Sequence, residues 1–405
     1  MIFLDINTFY CPRAGGIRTY HLEKIEYFKS HSEHTYYLVF PGKKRESTNP
    51  ASNIHLEKVF GIAAGRDQDG YRLILDYLSV FLLIKETKPD IVEAGDPWLT
   101  GLFCMLSSFP EGTKRTSFYH ADPVDTYFKP WSNTGKVGLS LKKILAAYAG
   151  KVFYGLQKRY FSTLVTSDLM RRKLSEKKIP RVALLPFGIH PVFLEQGELR
   201  GTYLKEERKK IKLLYAGRLD KEKGMDLLIE AVPKLLNRHD VSLTVAGRGK
   251  FADYFSGMRG MGLDYLGFID SREQMAEVIA NHDVFLAPGP NETFGMGVLE
   301  ALACGLIAVG PDSGGTGEIL TGMGSDFIFK AGDADSFYEK IRMAIKCNLK
   351  EEFTRSRKAA KAFGSWDRAI NRMVRYYEDL RRDQPPSSRL RRHYGGPGES
   401  EGMKL

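Results

Sequence analysis

The chain has 405 residues, with 60 Lys and Arg against 49 Asp and Glu and a formal net charge of +11. Apolar residues make up 43% and charged residues 27%, which excludes a disordered chain and leaves room for two or three domains. Cys11, Cys104, Cys304 and Cys347 show no CxxC spacing, which argues against a zinc ribbon and a disulfide scaffold and makes a reducing cytosol the expected compartment.

From the start of the chain, residues 2–6 (IFLDI) are a predicted strand. Asp5 interrupts its apolar run and no basic region precedes it, so it does not resemble a signal peptide. Gly15-Gly16 breaks the chain ahead of a predicted helix, RTYHLEKIEYFKS, and TYYLVFPG (35–42), DIVEAGD (90–96) and TSFYHAD (116–122) are further strands with helical segments between. Strands alternating with helices imply a parallel sheet.

Between Thr126 and Ser167 there is no Asp or Glu. Lys129–Arg181 holds 13 basic residues against Asp168 and Glu176, which accounts for the whole net excess of the chain. Within it Leu141, Ile144, Leu145, Tyr148, Val152 and Leu156 recur at three- and four-residue steps. That periodicity predicts a helix whose apolar stripe packs on the sheet while Lys136, Lys143 and Lys158 face outward. The basic face suits anionic lipid headgroups, at roughly 1 kcal/mol per basic side chain. Nucleic acid is not expected as a partner, since no helix-turn-helix, RNP or finger signature occurs.

Polar GELRGTYLKEERKK (197–210) is a predicted linker, after which the pattern restarts with strands at 212–218, 242–249, 264–269, 283–288 and 306–311. SWDRAINRMVRYYEDLRR (365–382) is a further amphipathic helix, and the tail from Asp383 has a disordered composition. No apolar run is long enough to span a membrane, since Thr293–Pro311 is broken by Glu300.

The chemistry-bearing motifs cluster at predicted strand ends. In NETFGMGVLE, Glu292 sits in a loop and Glu300 in the helix that follows, with free backbone N–H groups at the helix start between them. Carboxylates suit ligand hydroxyls, because they accept charge-assisted hydrogen bonds. In AGRLDKEKG, Arg218 and Lys223 are two cations in one strand-to-helix loop, suited to neutralising a diphosphate leaving group. AGRGK (246–250), PRAGGIRTY (12–20), EAGDPW (93–98) and FYHADP (118–123) end other strands, the last presenting His120. No GxxxxGK[ST] occurs, which excludes a P-loop NTPase.

Together GGI near the N-terminus, His120, AGRLDKEKG, AGRG, LGF, NETFGMGVLE and SGGTGE resemble the retaining family 4 glycosyltransferases over about residues 1–382. PRAGGIRTY, EAGDPW and FYHADP look closest to a bacterial α-mannosyl- or glucosyltransferase subgroup. The resemblance implies an α/β, GT-B fold: two facing Rossmann-like domains with parallel sheets. Residues 1–196 would bind the acceptor and 197–364 the nucleotide sugar. The helix at 365–382 would cross back to the first domain, and 383–405 would be a disordered tail.

By the same resemblance, Arg218 and Lys223 bind the donor diphosphate, Glu292 the sugar hydroxyls and Glu300 the ribose. Gly15 and Gly16 approach the phosphates, and His120 lies near the reacting sugar carbon. Gly247, Thr293, Phe294 and Gly295 belong to the donor-binding set. Gly267 and Phe268 lie beside the base, mostly through backbone, and Gly314 and Gly315 line the back of the donor loop. Thr293 departs from the Gly or other small residue often found at its position, which puts the sugar pocket in doubt.

No resident cofactor or metal is expected, the two cations serving where a metal would. DQD at Asp67–Asp69 and DAD at Asp333–Asp335 are predicted to be solvated turns. The expected activity is transfer of a hexose, from GDP-mannose or UDP-glucose, to a lipid-linked or envelope-glycan acceptor. The expected place is the cytoplasm, peripherally on the inner face of the membrane. A soluble acceptor, a nucleotide-sugar epimerase on the same fold, and a non-catalytic nucleotide-sugar-binding protein remain alternatives.

Overall fold

A computed structural model describes residues 1–10, 15–63, 71–96, 99–120, 122, 124, 139–204, 210–260 and 262–382, the side chains of 139–143 and 146 excepted. The DQD motif, Lys129, Lys136, the side chains of Leu141 and Lys143, and the tail from Asp383 lie outside the described residues.

The chain forms two compact units. Among the described residues, one combines Met1–Leu185 with 367–382; the other is Pro186–Trp366. The division thus falls at 185/186, where the sequence suggested 196/197. The helix Trp366–Arg381 lies almost wholly in the first unit.

The first unit is built on β1 (Ile2–Ile6), β2 (Thr35–Gly42), β3 (Glu46–Ala51), β4 (Ile54–Ala63), β5 (Arg72–Ile74), β6 (Ile91–Ala94), β7 (Lys114–Phe118), β8 (Ser162–Val165) and β9 (Val182–Leu184). The order β3-β4-β2-β1-β6-β7-β8-β9 is parallel from β4 to β9. β3 and β5 each pair with β4 in antiparallel fashion. Apolar side chains of β1, β2 and β6 are buried on both faces, as helix-covered parallel strands require.

A charged network sits inside this unit. Asp5 and Glu93 are register partners across β1 and β6. Lys24, from the helix Gly16–Ser30, places its Nζ 2.5 Å from Asp5 Oδ2 and 3.5 Å from Glu93 Oε2. Tyr20 donates to Glu93 at 2.9 Å and Tyr36 to Asp5 at 2.9 Å. Tyr377, from the helix Trp366–Arg381, also donates to Glu93. These side chains are all buried. Burial pushes both carboxyls up, and the Lys24 ammonium opposes it.

The helix Leu139–Gln157 corrects one expectation. Ile144, Leu145, Tyr148 and Val152, predicted to pack inward, are 64%, 47%, 66% and 43% exposed. The buried face carries Gly150, Phe153 and Gln157. Gly150 faces Val124, Phe153 joins a small core with Tyr119 and Val165, and Gln157 donates to Thr163 at 3.0 Å. This face lies opposite the aliphatic stripe on a 3.6-residue helix. Lys158 is exposed as expected, and Lys151 and Arg159 are exposed too. Among the described residues no helix is long and apolar enough to cross a membrane.

The second unit is built on β10 (Ile211–Ala216), β11 (Val241–Ala246), β12 (Leu263–Gly267), β13 (Val284–Leu286), β14 (Ile307–Pro311) and β15 (Ile328–Phe329). Its parallel sheet has the order β12-β11-β10-β13-β14-β15. Chain order reverses between β10 and β13, and ligands of open α/β sheets bind at such a switch point, beyond the strand C-termini.

The predicted linker at 197–210 is also corrected, since a helix runs from Pro191 to Tyr203. Phe193 and Arg200 are buried on it. Arg200 donates to Ala280 O at 2.8 Å and to His282 O, and its Nη2 lies 3.2 Å from Asp283 Oδ1. Arg200 is thus a buried arginine with a carboxylate partner, while 205–209 lie outside the described residues.

Candidate functional site

The loops after β10 and β13 meet at the switch point of the second sheet. Gly224 has φ +74°, and an added Cβ there would lie 2.6 Å from the Pro288 carbonyl carbon. Only glycine permits that backbone and that approach. The contact brings the two loops together and places Lys223 Nζ 2.5 Å from Glu292 Oε1.

Arg218, also in the loop after β10, lies 2.7 Å from Glu222 and 3.3 Å from Asp220. Its own carbonyl accepts the buried Tyr215 hydroxyl at 2.6 Å, so its backbone is fixed from below. The two predicted cations therefore share one loop, each with a carboxylate beside it. Asp220 and Glu222 are visible in AGRLDKEKG as acidic residues, but nothing in the spacing marks them as partners of Arg218.

The Glu292 loop is supported from behind. Gly315 N donates to Glu292 O at 2.6 Å, and a Cβ on Gly314 would lie 2.6 Å from the same oxygen. Gly295, at φ +96°, precedes the helix Met296–Ala303 and leaves its first N–H groups at the strand ends. Glu300 is the fifth residue of that helix and half-buried. Phe294 turns its ring into the core, against Phe187 at 5.2 Å and Phe363 at 5.9 Å, so it can meet a ligand only through its backbone. Thr293, between Glu292 and Phe294, is half-buried.

The neighbouring strands add a third loop. Gly247 donates to Gly267 O at 2.7 Å, and Leu219 N donates to Arg248 O at 2.8 Å. Phe268 follows β12 and is 41% exposed, and the Arg248 guanidinium lies 4.5 Å from its ring centroid. The Arg248 contact is not announced by the AGRG motif, which offers only its glycines as a signal.

In the first unit, Gly15 has φ +92° and caps the helix that Gly16 begins. His120 follows β7, with its ring 4.5 Å from Phe118 and 5.1 Å from Tyr20. Burial, His21 and Lys24 together hold its pKa well below the usual imidazole range, so it is neutral at pH 7. Glu93, at the end of β6, belongs to the buried network. The second aspartate triplet is a helix cap: Asp333 accepts from Ser336 N at 2.9 Å, while Asp335 is exposed. Among the described residues no group of three or more His, Cys, Asp and Glu is placed to hold a metal ion.

Residues 200–363 match the family model of glycosyl transferases group 1. The chain is 26% identical over 394 residues to the GDP-mannose-dependent alpha-(1-6)-phosphatidylinositol dimannoside mannosyltransferase of Mycobacterium tuberculosis, covering 92% of this chain and 95% of that one. Among solved structures, sucrose-phosphate synthase from Thermosynechococcus elongatus superimposes with a TM-score of 0.69 at 15% identity, covering 95% of this chain and all of that one. WaaG, a glycosyltransferase involved in lipopolysaccharide biosynthesis, does so with a TM-score of 0.64 at 16% identity, over 92% of this chain and 98% of that one. These likenesses carry the GT-B fold.

Proposed function

We propose, from the premise that the chain is a glycosyltransferase whose residues 200–363 form a group 1 domain, that it is a retaining hexosyltransferase. The donor is a nucleotide-diphosphate sugar, with GDP-mannose favoured over UDP-glucose. The observation that carries this reading is the pairing of Lys223 with Glu292 at the switch point of the second sheet, with Arg218 in the same loop as Lys223. The full-length likeness to a GDP-mannose-dependent enzyme supports the donor.

Arg218 and Lys223 hold the diphosphate and neutralise it as the bond from the sugar C1 to the phosphate oxygen breaks. Glu292 accepts hydrogen bonds from sugar hydroxyls, Glu300 from the ribose. The acceptor oxygen bonds to C1 on the same face, and its proton passes to the departing diphosphate oxygen. No side-chain nucleophile and no metal is needed for that step. For Gly15, Gly16 and His120 of the first unit, a role toward the donor rests on the family resemblance alone, His120 being a neutral imidazole.

The acceptor we infer is lipid-linked, or an envelope glycan, reached from the cytoplasmic face of a membrane. The exposed Ile144, Leu145, Tyr148 and Val152 beside Lys151, Lys158 and Arg159 support this, because an apolar strip with flanking cations suits an anionic interface. The test is incubation of the full chain with labelled GDP-mannose or UDP-glucose and extracted membrane lipids. Mannolipid with the donor's anomeric configuration is expected. Inverted product, sugar release without lipid product, or transfer only to soluble acceptors overturns the corresponding part. Flotation with vesicles containing anionic lipid tests the surface, and equal failure to bind with and without that lipid removes it.

A further inference from the structure

The loops after β10, β11, β12 and β13 lie side by side along one sheet edge. Neighbouring strands are about 4.8 Å apart, so β12 to β13 spans about 14 Å. Glu292 marks one end, Arg218 and Lys223 the middle, and Arg248 with Phe268 the other end. An elongated ligand with its sugar at Glu292 and its diphosphate at β10 brings its base to Arg248 and Phe268.

That end is built rather than incidental. Phe268 leaves a large apolar ring exposed, and Arg248 covers it at 4.5 Å. Backbone around Arg248 is locked to the Arg218 loop. Leu219 N donates to Arg248 O at 2.8 Å, Lys250 N to Asp220 Oδ1 at 3.2 Å, and Phe251 N to Leu219 O at 3.0 Å. Gly249, at φ +151°, lies so close to Leu219 that a Cβ would stand 2.5 Å from its carbonyl oxygen. The position of Arg248 is therefore tied to that of the phosphate-facing cation.

We propose that Arg248, held over Phe268, reads the nucleoside base of the donor and selects guanine. The proposal rests on the donor-site reading above. Phe268 offers a stacking face to any base. A guanidinium adds donors in a fixed fork, which matches the adjacent N7 and O6 acceptors of guanine. Adenine presents an N–H₂ donor beside N7, and uracil carries an N–H donor between its two carbonyls, so neither offers that pair. The two residues thus divide the work: the ring binds, the guanidinium discriminates.

The test is calorimetric titration of the full chain with GDP and with UDP, neither carrying a sugar. The wild-type chain should prefer GDP. Arg248→Ala should weaken GDP by about tenfold or more and UDP by less than about threefold, since one bidentate pair to guanine carries that much discrimination. Arg248→Lys, which keeps the charge and loses the fork, should also lose the preference. Phe268→Ala should weaken both nucleotides alike. Equal losses of GDP and UDP in Arg248→Ala would make Arg248 a phosphate ligand and overturn the proposal. So would unchanged binding, a retained preference in Arg248→Lys, or a wild-type preference for UDP. If the wild-type chain binds neither nucleotide, the donor-site reading itself fails.

Discussion

Lys223 Nζ lies 2.5 Å from Glu292 Oε1, although 69 residues separate the two in sequence. The pair joins the first strand of the second unit to the strand beyond its switch point. A ligand that places phosphate at Lys223 and sugar at Glu292 separates them, giving each a new partner. Glu292→Gln should therefore lower kcat/KM for hexose transfer by about 10- to 100-fold, the loss expected for a charge-assisted hydrogen bond. Affinity for the nucleotide diphosphate alone should not fall, since Lys223 loses a competitor. A parallel loss of nucleotide binding would place Glu292 at the phosphates.

Arg218→Ala and Lys223→Ala each remove one cation facing the leaving diphosphate. Turnover should drop by about 10²–10³-fold in each, the range for losing one preorganised electrostatic contact. Thermal melting should move little, because both side chains are partly exposed. Near-normal activity in both variants would sink the assignment.

In the first unit, Lys24→Met leaves Asp5 and Glu93 buried together without their cation. Breaking such a pair costs about 3–5 kcal/mol. Tyr377→Phe removes one hydroxyl from Glu93 and should cost about 1.5–3 kcal/mol. Urea unfolding checks both, and the order Lys24→Met worse than Tyr377→Phe is the essential expectation.

Acid should destabilise the fold before it protonates ordinary carboxylates. Burial lowers His21 to about 3 and His190 to about 4, from an ordinary 6.5. Below pH 6.5 the unfolded chain binds protons that the folded chain refuses, so stability falls as pH drops towards those values. For the fully buried His21 the loss at pH 5 is about 2 kcal/mol. Asp5 and Glu93, raised by burial, act in the opposite sense, favouring the fold at low pH and losing that contribution as pH rises. His21→Gln should flatten the decline between pH 7 and pH 5, as followed by chemical denaturation. An unchanged slope would show that His21 is not its source.

Arg200→Leu tests the helix Pro191–Tyr203 as part of the second unit. Asp283 would lose its buried counter-ion, at a cost of about 3–5 kcal/mol. A surface tether would tolerate the change, and an unaltered melting temperature would restore the linker reading.

Much of the fold is legible where apolar runs end in glycine loops. IFLDI, TYYLVFPG and the strands from β10 to β14 lie within two or so residues of their predicted positions, because helix-covered parallel strands need continuous apolar runs. β3 was not legible: ESTNPA is exposed at a sheet edge and carries no alternation for burial to impose. The helix at Pro191 hid behind Arg200, since a buried, paired arginine and a solvated one look alike in sequence. Periodicity found the helix Leu139–Gln157 but chose the wrong face, because the face that packs is marked by Phe153 and Gln157, whose burial the aliphatic spacing does not show. At the candidate site, the cations and glutamates were readable from motif spacing. The pairing of Arg218 with Glu222 and the placing of Arg248 over Phe268 were not, since both depend on how separate loops or side-chain rotamers come together.

The helix Trp366–Arg381 makes the first unit discontinuous in sequence, and synthesis must contend with that. When Leu185 emerges from the ribosome, Glu93 still lacks Tyr377, and about 190 further residues must be translated before that hydroxyl arrives. At roughly 5–20 residues per second, the nascent first unit waits on the order of 10–40 s with its charged centre incompletely capped. The second unit, from Pro186 to Trp366, is complete in the meantime and can fold as one uninterrupted stretch. The order of completion is thus the reverse of the order of emergence, and a chain ending between Trp366 and Tyr377 would have a later half that is finished and an earlier half that is not.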